Sequence, residues 1–537
     1  MRKKIVDTHW NPHATSDFRE WLQLLEEHDE LKRVTVEVDW NLELSAITRV
    51  NLAQKGPGLL FENIKDYRDS FCNKMVTCSA SNGRQIRLML GMAEESGDKE
   101  VVKELRQRFE NPVKPVILET GPVKENIVKG KAIDLEKLPI PIWSRLDGGR
   151  YIDTFGAVVT KDPQVGQFNI GIYRGMLLGK DRIGKLIVPS QHWGSHFAKH
   201  KDSMAPMPVA IVFGAHDIVP LCAATPFAKD ICEYDMMGAV LGQPMPLVKC
   251  ETNDLLIPAN AEIVIEGFIS PNPDSFEMEG PFAEYPGYAG GKPSPKPVLK
   301  VSCISHRNNP IFRGAQEGAR PGFPSEDSAI CAYLWSAAAW QVVERQGIGG
   351  ITDFWLPPVV TGTTAVVQIN KRYHGHAQQV AAALWGNSSS TFFYKNVTVV
   401  EEDIDIRDRE ALEWAMTFRM DAGDGQLVTY GPTPGSPLDP SVAQEYQNPK
   451  KYGAACWTRV LFDATRSWKF DPNPMWQGER FAPVAVMPSD VEQQVCAKWS
   501  EYGISEHYLD ERQRNMLTYS EFSKKHPEWI PYKDDSN

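Results

Sequence analysis

The stretch EMEGPFAEYPG, Glu277 to Gly287, sets three carboxylates within eight residues, among Met278, Pro281, Phe282 and Ala283 and with no Lys or Arg. Acids on a solvated surface are usually mixed with small polar residues; these stand in an apolar wall. Gly280 and Pro281 break any helix between Glu279 and Glu284, so the two are not simply neighbours on a helical face. If both face one pocket, mutual repulsion and desolvation raise at least one pKa, and a nearby Arg lowers the other. One site then keeps a carboxylic acid and a carboxylate at neutral pH, as general acid–base chemistry needs. The plainer reading is a surface loop of unrelated acids.

Two further segments hold residues that could do chemistry. FNIGIYRG places Asn169 and Arg174 in a strand otherwise made of apolar residues and Gly. Arg in a buried strand needs a carboxylate or an anion, and a structural ion pair answers that need as well as a substrate does. HWGSHFAKH spaces His192, His196 and His200 four apart, one face of a helix and a spacing that can bind a metal. Solvent-facing histidines give the same pattern, and Gly194 weakens the helix.

The elements that must position these residues are legible in outline. Asp17 can cap a first helix, with Glu20 three residues on and Phe18, Trp21, Leu22 and Leu25 on one face. RVTVEVDW (Arg33–Trp40) alternates as a strand, and DKEVVKELRQRFE reads as a helix. The Pro-rich ENPVKPVILETGPVKE marks a boundary near residue 125. Beyond it the chain is strand-rich. YIDTFGAVVTKDPQVGQFNIGIYRGMLLG reads as two strands joined at KDPQVG, followed by strands in PVAIVFGA, AEIVIEGFI and KPVLKVSCISH. RPGFPSEDSAI is the second boundary. Ser325 can cap a long helix there, with Glu326 and Asp327 in its first turn and Gly347 as its stop. TTAVVQIN, HAQQVAAALW, KNVTVVEEDIDI and DREALEWAMTFR then alternate strand and helix, an α/β pattern, and GPTPGSPLDPS reads as a loop.

At 537 residues the chain exceeds one core, and its 42% hydrophobic and 24% charged composition is that of a soluble globular protein. A net charge of −11 argues against a nucleic-acid partner held through phosphates. No window approaches a membrane span, and the basic start lacks the apolar run of a secretory signal. The nine cysteines form no CxxC and read as reduced core thiols of a cytoplasmic protein. GxGxxG and Walker A motifs are absent.

Together these segments resemble the UbiD-type decarboxylases, which use prenylated FMN. The resemblance runs in order through IDLEKLPIPIWSRLDGGRYIDTFGAVVTKDPQVGQFNIGIYR, GQPMPLVKCETNDLLIPANAEIVIEGFI, the Glu277 segment, NKRYHGHAQQVAAALWG, DIDIRDREALEWAMTFRMD and RVLFDATRSW. It implies that Asn169, His192 and Glu233 ligate a divalent metal, usually manganese, that links the protein to the cofactor phosphate. Two oxygens and an imidazole suit such an ion. A potassium ion, held largely by backbone carbonyls, sits beside it in relatives. The resemblance makes Thr154, the run Asn169, Ile170, Gly171, Ile172, Tyr173 and Arg174, and Gln191 cofactor contacts. Arg174, Glu279 and Glu284 match the family's Glu–Arg–Glu network: Glu284 as the acid that protonates carbon, Arg174 as the group that orients the substrate carboxylate, Glu279 as its partner. Glu277 precedes the matching segment and reads as a strand-end or surface acid.

The expected fold is α+β. Residues 1–125 form an N-terminal α/β region and 126–324 a split β-barrel that binds the flavin. Residues 325–347 form a linker helix, and 348–537 a C-terminal α/β oligomerisation domain with an irregular tail. The implied reaction is reversible non-oxidative decarboxylation of an aromatic, heteroaromatic or α,β-unsaturated acid, with carbon dioxide as product. A CoA-linked aromatic acid such as phthaloyl-CoA is one candidate substrate. A flavin prenyltransferase would supply the cofactor, and dimers or hexamers are expected. The alternatives are a subunit of a multi-subunit arene or phenylphosphate carboxylase, and a plain FMN oxidoreductase on a split barrel. Surplus length appears around VAQEYQNPKKYGAACW and after EYGISEHYLDERQRN.

Overall fold

The computed structural model describes residues 15–505 except 190, 229–230, 291, 319, 388–391, 453–454, 477, 483 and 486. The second surplus stretch therefore lies outside the described residues. The chain divides into two units. The first runs through Ala338 and takes in Pro358–Thr361 and Ser436–Ala454; the second comprises Ala339–Pro357, Gly362–Gly435 and the chain from Ala455 onward.

The first unit opens as expected. Asp17 accepts the Arg19 N–H at 2.8 Å and starts the helix Phe18–Glu27, which buries Phe18, Trp21, Leu22 and Leu25. The following strand is shorter than its alternation suggested. Leu31–Val34 pairs in parallel with Gly58–Phe61, but Val36 is exposed and Val38 makes only an isolated bridge. Lys74–Thr77 and Ile311–Arg313 complete this four-stranded sheet. Asp98–Arg108 is helical as read.

The centre of the unit is a curled nine-stranded sheet. Its strands run Tyr151–Asp153, Gly175–Gly179, Arg182–Lys185, Val298–His306, Ile263–Ile269, Met207–Phe213, Ala157–Lys161 and Phe168–Ile172, with Asn126–Lys129 paired beside Val298–His306. Every pairing is antiparallel. The KDPQVG turn joins Ala157–Lys161 to Phe168–Ile172, but the segment read as two strands makes four. Alternating inward residues such as Val158, Val209, Ile211, Ile263 and Ile265 form one core with Trp143, Tyr151, Tyr173 and Trp193.

The second unit carries a five-stranded sheet, ordered Ile351–Trp355, Thr364–Ile369, Asn396–Glu401, Ala455–Asp463, Leu427–Gly435, whose three central strands are parallel. Helices His376–Trp385 and Arg409–Phe418 intervene, the second capped by Asp408. This is the α/β pattern read from the sequence. The expected loop at Gly431 is half strand: Leu427–Gly435 runs through Pro432 on a sheet edge, with a register shift between Tyr430 and Thr433. An edge and a bulge are where Pro is tolerated in a sheet. All nine cysteines are free. Among the described residues no helix is long and apolar enough to cross a membrane.

Candidate active site

Arg174 sits outside the strand that its sequence suggests. Phe168–Ile172 stops short of it, and Tyr173–Arg174 make the tight connection to Gly175–Gly179. From that turn the guanidinium meets both glutamates. Nε and Nη2 each donate at 2.9 Å to the two oxygens of Glu279, and Nη1 pairs with Glu284. The first contact has the two-pronged geometry that arginine makes with carboxylates. Gly280 and Pro281 separate two short strands, Glu277–Glu279 and Phe282–Ala283, and so let the glutamates approach one cation from different backbone directions.

The strand Glu277–Glu279 reverses the usual hydrophobic pattern. Glu279 is 1% exposed while Met278 is 54% exposed, so Met278 lies outside the apolar wall that the sequence placed it in. A charge turned inward against its pattern is what a functional site demands of a strand. Glu277 instead pairs with Arg182 at 2.5 Å near the surface. Phe282 supplies the wall: its ring centroid is 4.2 Å from that of Tyr151 and 5.6 Å from the Arg174 guanidinium carbon. The Tyr151 hydroxyl lies 2.8 Å from Glu279 Oε1 and 3.2 Å from the Pro281 carbonyl.

The electrostatics separate the two acids. Burial pushes the Glu284 carboxyl up, Arg174 pulls it down, and Glu279 adds to the rise; the net shift is upward. Burial opposes the charge on Arg174, but Glu284 and Glu279 outweigh it and hold the guanidinium protonated. Asp147 accepts the Ala283 and Ser144 N–H groups at 2.9 Å each. Burial nevertheless raises its carboxyl to about 6. Glu317, also buried, is pushed well above the usual range by burial and by the neighbouring Asp327 and Glu284.

The residues expected at the metal lie on one strand and at two helix starts. His192 begins the helix His192–Ser203 and Glu233 begins the helix Glu233–Leu241. Both helices pack on the strand Phe168–Ile172, which carries Asn169. The Glu233 Oε2 accepts the Ile170 N–H at 3.2 Å, one residue from Asn169. Glu233 is buried, and burial raises its carboxyl to about 8, with only backbone N–H groups opposing the rise. Amide oxygen, imidazole and a buried carboxylate that no Lys or Arg among the described residues compensates form a donor set that fits a divalent cation.

The helix does carry His196 and His200 as their spacing implied, but both turn inward. His196 Nδ1 sits 3.0 Å from the Thr160 hydroxyl, and burial lowers its pKa to about 4. Among the described residues no group of three or more His, Cys, Asp or Glu is placed to hold a metal. Of the expected cofactor contacts, Thr154 accepts the Ala315 N–H at 3.1 Å, which leaves its own hydroxyl proton free to donate. Gln191 accepts the Trp193 indole N–H at 3.3 Å. The Tyr173 ring stacks on Trp193 at 4.2 Å, and its hydroxyl receives the Asn169 amide at 3.3 Å.

Sequence reasoning missed Tyr151, Asp147 and Glu317, and with them the fully buried ion pair of Asp153 and Lys185, 2.5 Å apart. The signal for Asp153 and Lys185 is a charge inside an apolar strand, the same signal that drew attention to Arg174. Asp327 was read only as an acid of a helix's first turn.

Three family models match the chain in order. They are the N-terminal, Rift-related and C-terminal domains of 3-octaprenyl-4-hydroxybenzoate carboxy-lyase (UbiD), over residues 22–105, 114–320 and 328–464. The protein sll0936 of Synechocystis sp. is 31% identical over 530 residues, 94% of this chain and 99% of that one. An evolved dimeric form of the UbiD-class enzyme HmfF from Pelotomaculum thermopropionicum, solved in complex with prFMN, is 29% identical. The match covers 89% of this chain and 98% of that one, with a TM-score of 0.73. The vanillic acid decarboxylase ShVdcCD of Sedimentibacter hydroxybenzoicus in closed form is 29% identical. Here 91% and 99% are covered, with a TM-score of 0.79.

Proposed function

The chain belongs to the UbiD family of carboxy-lyases, and on that premise we propose that it decarboxylates an aromatic, heteroaromatic or α,β-unsaturated acid, reversibly and without oxidation, using prenylated FMN. The observation that carries this reading is the arrangement at Arg174: a two-pronged bond to buried Glu279 on one side and the buried acid Glu284 on the other. Asn169, His192 and Glu233 would hold the divalent metal, and Thr154, the backbone of 169–174 and Gln191 would face the flavin. When bound, the prenylated flavin supplies an electrophilic ring that takes up the electron pair released as carbon dioxide departs.

The chain's own residues do the rest. Glu279 occupies Nε and Nη2 of Arg174 and fixes the plane of the guanidinium, so Nη1 is the position open to exchange. A substrate carboxylate taking Nη1 from Glu284 removes the cation that lowers that acid's pKa and places a second negative charge beside it. Both effects favour protonated Glu284. Once the carbon–carboxylate bond has broken, Glu284 delivers that proton to the carbon, becomes a carboxylate and returns to Arg174. Phe282 and Tyr151 keep water from the same space. The test is a panel of aromatic, heteroaromatic and acrylic acids assayed by exchange of labelled carbon dioxide, using protein co-expressed with a flavin prenyltransferase. Exchange that requires the prenyltransferase supports the reading; turnover linked to NAD(P)H with plain FMN replaces it with an oxidoreductase. CoA thioesters, phthaloyl-CoA among them, belong in the panel as the finer question.

One observation favours a second reading. The vanillic acid decarboxylase ShVdcCD has also been solved in an open form with a truncated ShVdcD. Activity that appears only with a co-purifying polypeptide would make this chain the flavin subunit of such an assembly.

A further inference from the structure

One buried charge near the candidate site has no part in the proton chemistry. The Lys185 ammonium and the Asp153 carboxylate are both fully buried and 2.5 Å apart. Lys185 also donates to the backbone carbonyl of Tyr173 at 2.6 Å. Its ammonium lies 5.6 Å from the Trp193 ring centroid, the ring on which Tyr173 stacks. Asp153 Oδ1 makes no hydrogen bond of good geometry; the Gly156 N–H lies near the carboxylate, and Lys185 is the cation that pairs with it.

As a source of stability alone this pair is poorly chosen. Removing two charges from water costs about as much as their attraction returns, and apolar residues of the same volume serve as well. What the ammonium adds is a fixed donor at one point of the backbone, the carbonyl just before Arg174. The neighbouring strand positions make the same point. Successive strand residues face opposite ways. A Cβ at Gly184 would lie 3.3 Å from the Cβ and Cγ of Glu279, while one at Gly175 would lie 3.2 Å from the Lys185 nitrogen. Gly184–Lys185 therefore touches Glu279 from one face and the Tyr173–Arg174 turn from the other.

We infer that Lys185 is a positioning residue for the reaction: pinned by Asp153, it fixes the Tyr173–Arg174 turn, from which the flavin-facing stack and the Arg174 guanidinium diverge. The inference rests on the flavin-dependent reading above. On this inference Lys185 acts through the Tyr173 carbonyl that it holds.

The test uses the full-length apo protein titrated with FMN in the presence of Mn2+, followed by flavin fluorescence, with Tm measured in parallel. The double variant D153N/K185M removes both charges together and leaves no unpaired one. It should weaken FMN binding at least ten-fold. K185R, which keeps the charge and the pair with Asp153 but has a larger planar head, should lose less. R19M/E262Q removes another ion pair of the same unit and should lower Tm while leaving the FMN Kd within two-fold of wild type. Three results overturn the inference: a folded D153N/K185M protein that binds FMN within two-fold of wild type, a control that weakens FMN as much, or failure of both Lys185 variants to fold. The last would make the pair a requirement of the core. Wild-type protein that binds neither FMN nor prenylated FMN would defeat the flavin reading itself, and the inference with it.

Discussion

Two buried carboxylate sites in one unit are built on opposite electrostatic plans. Around Arg174 the charges are matched inside the chain: Glu279 takes two donors, Glu284 a third, and Tyr151 closes the set. Around Glu233 they are not, and among the described residues only backbone N–H groups answer a carboxyl that burial has lifted to about 8. The first site is complete until a competing anion enters. The second is incomplete until a cation arrives. A buried acid thus reports a different need according to what faces it, and on the proposed function the two sites would divide the labour of handling a substrate and holding a cofactor.

The largest expected effect separates the plans most cleanly. Glu284→Gln removes the proton but keeps the shape, so turnover should fall by about 10²–10⁴-fold. FMN and metal content should stay unchanged, as measured by carbon dioxide exchange and elemental analysis. A Glu284→Gln protein that loses flavin would merge the two sites and break the comparison. His192→Ala should do the reverse, depleting bound manganese and flavin together; His196→Ala, whose ring faces Thr160, should spare both. Equal losses from the two would revive a three-histidine centre.

A smaller effect sharpens the comparison through pH. The Asp147 carboxyl titrates near 6 in the folded chain against an ordinary 3.8. The folded state therefore holds the extra proton, and the stability this gives is full below 3.8 and lost as pH rises to 6. The gap in unfolding free energy between wild type and Asp147→Asn, read from urea melts, should shift across that window by at most about 3 kcal/mol and be flat above it. The smallest effect is the internal control. Glu277 and Arg182 are each more than a third exposed, so Glu277→Gln should change stability by about 0–1 kcal/mol and turnover hardly at all.

The sequence made the acids legible because a local anomaly marks them. Glu279 and Glu284 flank a Gly-Pro break in an apolar stretch, and Arg174 stands in an apolar run; neither needs a distant partner to look odd. Tyr151 and Asp147 carry no such mark. Tyr151 meets Glu279 across 128 positions of chain and Asp147 meets Ala283 across 136. Only the fold brings such pairs together. The same limit explains the short strand Leu31–Val34. Its alternation continues through Val36 and Val38, but the partner strand ends at Phe61, and beyond it only Val38 pairs, in an isolated bridge with Ile64. The long central strands and the α/β alternation of the second unit were legible because period and length agree there.

The first unit closes with a segment made late. Ser436–Ala454 belongs to it, and the Ser436 hydroxyl meets that of Tyr285, the neighbour of Glu284, at 2.8 Å. On the ribosome, at about 5–20 residues per second, that piece emerges roughly 5–20 seconds after Ala338. During that interval the emerging chain holds Glu284 and Arg174 in a unit that still lacks its last part. A gene cut after Ala338 would prolong that unfinished condition indefinitely. The unit that holds Arg174 and Glu284 is thus not one continuous stretch of coding sequence.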